Sequence, residues 1–223
     1  MKKLLLCIFG LSLPLYATEY AAEPDDLVII QKPIIFDEKR KALTLQYMQE
    51  RYNMVQDEPT IEPRMVVVHW TVIQTFEKTF EVFNPPELPA ARDGIRAGGD
   101  LNVSSQFVID RDGTVYQLMP ETTMARHTIG LNYTAIGIEN VADGNSLPMT
   151  EAQLEANTKL IKYLAQKYPI EYVLGHSEYH RFRDTKWWKE TDASYFTEKN
   201  DPDIAFMNQL RSRLSELALK PLP

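Results

Sequence analysis

The chain predicts an α/β fold, a mixed central β-sheet flanked by helices, with an N-terminal helical extension. Three observations carry that reading. Short apolar runs rich in β-branched residues recur as MVVVHW, AIGIEN and EYVLG; amphipathic stretches of helical period stand before, between and after them; and two alternating runs flank Asp112-Gly113, a hairpin signal. Hydrophobic content of 44% is that of an ordinary globular chain, and the length suits a single core.

The elements follow in order. MKKLLLCIFGLSLPLYA sets two lysines before an apolar run and ends on small Ala17, the pattern of a secretory leader, so residues 1–17 are expected to be removed. The run is too short for a membrane span, which needs about 20 apolar residues. A periplasmic or extracellular product is therefore expected, with no transmembrane segment in its mature form. Cys7, the one cysteine, falls inside the leader and follows three leucines, so neither a lipid anchor nor a disulfide is expected. Residues 18–60 read as an extension holding a helix, Asp37 to Tyr52, with Ala42, Leu45, Met48 and Tyr52 on its apolar stripe. Residues 61–223 read as the main domain, closing on a C-terminal helix.

Within that domain MVVVHW reads as a buried strand ending at His69. Asn84 to Asn102, with its prolines and Gly98-Gly99, reads as a long loop, and QFVIDRDGTVYQL as the hairpin. In AIGIEN, Ile136 and Ile138 point to one face while Gly137 and Glu139 point to the other. Thr150 with Gln153 forms a capping box for a helix whose apolar face is Leu154, Ile161, Leu164 and Tyr168. EYVLGH returns to strand, and Pro202 to Leu217 is expected to close the chain as a helix.

Composition limits the partners. Formal charge is −7, and removal of Lys2 and Lys3 leaves 22 basic side chains against 31 acidic, or −9, which disfavours nucleic acid. His69 and His176 each end a strand, so both could meet at one sheet edge around a metal, where a neutral imidazole is a good ligand. The residues alone leave the alternative that each is a hydrogen-bonded, partly buried histidine. A catalytic zinc needs three protein ligands, and Asp184, Asp192, Asp201 and Asp203 all compete for the third place. His180 follows His176 by four residues but lacks the glutamate of an HEXXH pair and reads as solvent-facing or substrate-side. Trp70 reads as core; Trp187 and Trp188 read as loop packing or as an aromatic surface for a sugar or a peptide.

Five segments in this order, VVVHW, NVSSQFVIDRDGTVYQL, RHTIGLNYTAIGIEN, VLGHSE and EKNDPD, resemble the zinc-dependent N-acetylmuramoyl-L-alanine amidases of the amidase-2 group, related in fold to peptidoglycan recognition proteins. The resemblance spans roughly Met65 to Asp203. KPIIFDEKRKALTLQYMQERY also resembles the lead-in of some secreted members. What the resemblance implies is a Zn2+ ion held by His69, His176 and Asp201, the last from the K-x-D-P motif Lys199-Asn200-Asp201-Pro202. It further implies Glu139 as general base, Lys199 as stabiliser of the oxyanion, and His127 and Asn132 at the substrate groove. The partner would be peptidoglycan or muropeptides, cut between the muramic lactyl group and L-alanine. A peptidoglycan receptor without catalysis and a zinc peptidase acting within the stem peptide are the rival readings.

Overall fold

A computed structural model describes residues 27–223; the expected leader with Cys7 and the start of the expected extension lie outside the described residues. Six strands form one sheet: β1 (Ile29–Gln31), β2 (Met65–Trp70), β3 (Phe107–Ile109), β4 (Val115–Gln117), β5 (Ala135–Asn140) and β6 (Tyr172–Gly175). Their order is β1-β4-β3-β5-β2-β6. Only the β3–β4 hairpin is antiparallel, so the mixed α/β sheet is as expected. Four α-helices accompany it: α1 (Glu38–Tyr52), α2 (Phe76–Phe83), α3 (Glu151–Lys167) and α4 (Ile204–Arg213).

Strand alternation decides which side chains meet which layer. Val66, Val68, Ile136 and Ile138 face α3 and α4, where they pack with Leu160, Ile161, Leu164, Met207 and Leu210. Each such fully buried aliphatic side chain contributes about 1.5–3 kcal/mol. Met65, Val67 and Ala135 take the opposite face, with Leu131, Tyr179 and Phe182. By the same alternation His69 and Glu139 lie on this second face, away from the two helices.

α3 begins as read, with Thr150 and Gln153 forming both halves of the capping box. α1 differs in its rotation. Arg40, Thr44, Tyr47, Met48 and Tyr52 are its buried residues, whereas Ala42 is exposed. The cause is Arg40, whose Nη2 donates to the carbonyls of Phe83, Asn84 and Pro85 and pins α1 to the end of α2. α4 is shorter than Pro202 to Leu217: the Asp203 carboxylate accepts from Phe206 N and sets the first turn, and at Leu214 the backbone leaves helical geometry, with φ −104° and ψ 14°. The long loop after α2 contains a 3₁₀ segment, Ala90–Gly98. Strand β1 and helix α2 were not expected from the sequence.

Candidate active site

Parallel neighbours β5, β2 and β6 end at the same sheet edge, as ligand-binding crevices of open α/β sheets do. His69 is in register with Glu139 on β5, and His176 opens a 3₁₀ turn directly after β6. The chain between His176 and Asp201 loops out and returns, and Ser177 N donates to the Asp201 carbonyl at 2.7 Å to fix the return.

This brings three ligand-type atoms together. His69 Nδ1 lies 2.9 Å from His176 Nδ1. Asp201 Oδ2 lies 3.3 Å from His176 Nδ1 and 3.4 Å from His69 Nδ1. All three residues are buried, at 2%, 7% and 7% exposure, so solvent does little to relieve the facing lone pairs. Among the described residues this is the one such group that could hold a metal ion. Burial, with the neighbouring His69, takes the His176 pKa down to about 4, so the ring is neutral and able to donate a lone pair at pH 7. Burial alone would raise Asp201, yet the His176 and His69 imidazoles outweigh it and hold the carboxyl well below the usual range.

The rival aspartates stand elsewhere. Asp203 caps α4, Asp192 accepts from Ser194 and lies 3.7 Å from Arg51, and Asp184 is exposed. His180 is exposed, with its ring against the Ser177 carbonyl.

A second tier orients the first. His69 Nε2 faces His127 Nδ1 at 3.1 Å, and Asn140 Nδ2 donates to the His69 carbonyl at 3.0 Å. His127 Nε2 reaches the Ala135 carbonyl at 3.3 Å. The His127 ring lies over Gly137, where a Cβ would come within 2.8 Å of it, so the glycine is required by close approach. Asn132 is fully buried, and its Oδ1 accepts from the amides of His127 (3.0 Å) and Thr128 (2.7 Å). Asn132 thus holds the His127 loop, and both residues line the same cavity as His69, His176 and Asp201.

Glu139 is half-buried, and its Oε2 has neither solvent contact nor a hydrogen-bond partner among the described residues. Burial pushes its pKa up to about 7; the charges of His69, Lys199 and Arg92 oppose that rise and Asp201 adds to it. Glu139, Lys199 and the His69, His176 and Asp201 group all line one cavity of about 380 Å³. Its walls include Tyr47 from α1, Val72 after β2, and Arg92, Arg126 and Tyr195 from the loops. None of these five was singled out from the sequence. The exposed Val72 adopts φ 57°, a left-handed conformation rare for a β-branched residue. Trp70 is buried, as expected of a core residue, and part of it lines the cavity. Trp187 and Trp188 pack against Tyr172 and Tyr179, outside the cavity, so loop packing is what they do.

The geometry agrees with what comparison finds. The family model for N-acetylmuramoyl-L-alanine amidase matches residues 59–203. Among solved structures, N-acetylmuramoyl-L-alanine amidase LysC from Clostridium intestinale URNW is similar with a TM-score of 0.51 and 21% identity, covering 87% of this chain and 100% of LysC. A selenomethionine derivative of AmpD gives 0.52 and 20%, covering 86% of this chain and 97% of its own. At these identities the two structures speak for the fold. No curated protein sequence matches the chain. The matched span runs over strands β2 to β6 and takes in His69, Glu139, His176, Lys199 and Asp201, and on that match the chain belongs to the N-acetylmuramoyl-L-alanine amidase family and is a peptidoglycan amidase.

Proposed function

We propose that the protein is a secreted zinc amidase that hydrolyses the amide joining the lactyl group of N-acetylmuramic acid to L-alanine of the stem peptide. His69, His176 and Asp201 would hold the ion. The observation that carries this is the triangle of donor atoms with edges of 2.9, 3.3 and 3.4 Å. Tetrahedral zinc with bonds of roughly 2.0–2.2 Å sets its ligand atoms about 3.3–3.5 Å apart, and two imidazoles with one carboxylate is a catalytic donor set. When bound, such an ion lowers the pKa of water and polarises a carbonyl.

The protein's own groups do the rest. Glu139 takes the proton of the attacking water, and its carboxylate is suited to this because its pKa stands close to the working pH. The same carboxyl then returns a proton to the departing L-alanine nitrogen. Lys199, at the cavity wall, offers its ammonium to the oxygen on which negative charge develops. His127 holds the outer nitrogen of His69 and so sets which ring nitrogen is free for the ion.

The same reading takes residues 1–17 as a removed leader, 18–60 as an extension and 61–223 as the catalytic domain, acting outside the inner membrane, where peptidoglycan lies. The extension belongs to the working enzyme, because Tyr47 forms part of the cavity wall.

The test is incubation of the chain from Thr18 onward with purified peptidoglycan, with chelator and then with restored zinc, products being identified by mass. Stem peptides with a free L-alanine amino terminus, lost on chelation and regained with zinc, are expected. Fragments that keep the lactyl amide intact would replace this reading with a stem peptidase, and wall that is bound but uncut would replace it with a receptor.

A further inference from the structure

Three cationic side chains line the cavity: Arg92, Arg126 and Lys199. Arg126 is engaged inside the fold, donating to the carbonyls of Gly99 at 2.9 Å and Ile95 at 2.5 Å, to the Leu101 carbonyl, and to the Tyr195 hydroxyl at 3.1 Å. Lys199 has its place in the chemistry above. Arg92 has none. It sits at the kink of the Ala90–Gly98 segment, where the backbone leaves helical geometry at φ −105°, ψ 41°. Its half-buried guanidinium makes no hydrogen bond or ion pair among the described residues. It lines the same cavity as Glu139 and Lys199.

A guanidinium is a planar fork of five N–H donors with the spacing of a carboxylate. Half-buried in the cavity wall and with no acceptor among the described residues, it is available to a ligand's acceptor. The reading above supplies that acceptor. A cavity of about 380 Å³ is far larger than one amide bond, so it takes in part of the peptide beyond L-alanine as well. Stem peptides carry carboxyl groups there, and these occur either free or as carboxamides. A carboxamide presents an NH2 group and no charge, so it meets the fork with a donor where an acceptor is wanted.

We propose that Arg92 binds a stem-peptide carboxylate and makes the enzyme select stems whose second residue has a free carboxyl over those in which it is amidated. The proposal rests on the amidase reading, and it is tested by binding so that the two can fail separately. The probes are two soluble muropeptides with the same sugar and stem, differing only in whether that carboxyl is free or amidated. Titration into the zinc-loaded Glu139→Gln protein, which keeps the complex from turning over, should give a dissociation constant about 10–100-fold lower for the free acid, the range of a charge-assisted bidentate pair. Adding Arg92→Met should bring the two constants within about twofold, and Arg92→Lys should restore part of the gap and its salt dependence. Equal binding of both probes by the Arg92 protein, retention of the gap in Arg92→Met, or no binding of either probe would each overturn the proposal. So would an Arg92→Met enzyme that cuts both probes with an unchanged ratio and only a displaced acid limb, because Arg92 would then act on Glu139 and not on the substrate.

Discussion

His69 and Glu139 are register partners on adjacent parallel strands, with their side chains on the same face of the sheet. A backbone pairing therefore fixes the distance between a candidate metal ligand and the candidate base, independent of any loop. Glu139→Gln keeps the shape and removes the proton acceptor. Turnover should fall by about 10²–10⁴-fold, the usual worth of a positioned base, while bound zinc stays at one equivalent. Metal analysis beside product release checks this, and undiminished turnover would remove Glu139 from the base role.

The Glu139 carboxyl also predicts a pH dependence. Burial raises it to about 7, so the base form is lost as pH falls, and kcat/KM should drop below neutrality toward tenfold per pH unit. Bound zinc, a nearby cation, moves that limb to lower pH.

Stability should show the opposite sign. A carboxyl whose folded pKa exceeds its unfolded value of 4.5 favours the fold fully below pH 4.5, and that favour is lost as pH rises to about 7. In chelator, Glu139→Gln should therefore be more stable than the parent by on the order of 3 kcal/mol at pH 8, with the gap closing by pH 4. Denaturant melts at several pH values measure it. A gap that does not change with pH would mean that the carboxyl is solvated in the metal-free protein. His176 titrates with the reverse sign but is present in both proteins, so it cancels from the difference.

Much of this site was legible because its signals are local. Runs such as MVVVHW and AIGIEN identify strands, and a strand's alternation tells which side Glu139 takes. What brings Glu139, His69 and His176 together is the order β5-β2-β6, a non-local fact that no single run contains. The resemblance to the amidases supplied that convergence in advance. The cavity walls lay beyond both sources. Tyr47 and Arg92 come from α1 and a 3₁₀ segment far from the motifs, and Arg40 reads as a solvated helix residue until the carbonyls at the end of α2 are seen around it. Strand β1, at three residues, carries too short a pattern for period to register.

Asp201 and Asp203 stand two residues apart with different work, which permits a paired test. Asp201→Ala removes one corner of the donor triangle and should lose zinc and activity together. Asp203→Ala removes the α4 cap, should cost about 1 kcal/mol of stability, and should keep zinc. Metal content of the two purified variants decides the matter; full occupancy in Asp201→Ala would send the search back to Asp184 and Asp192.

Arg51 and Glu190 join α1 to the long loop that follows His176. Glu190 has 0% side-chain exposure and Arg51 12%, and two contacts link them, Nη2 to Oε1 at 2.8 Å and Nε to Oε2 at 3.2 Å. Arg51 also lies over the Tyr195 ring at 4.4 Å, while Thr191 N donates to the Arg51 carbonyl. Breaking a buried pair from one side leaves the other charge desolvated, so Arg51→Ala or Glu190→Ala alone should cost about 3–5 kcal/mol. Replacing both with apolar residues of similar volume, Arg51→Met with Glu190→Leu, should recover most of that loss, because both desolvation penalties vanish with the charges. Turnover should then part from stability: the double variant folds but has lost the contacts tying the loop that carries Tyr195 and Lys199 to α1, so kcat should remain below the parent's. A double-mutant cycle by chemical denaturation, with rates on each member, tests both halves. Single variants as stable as the parent would mean that water already solvates the pair, and parental kcat in the double variant would mean that the loop is positioned by its other contacts.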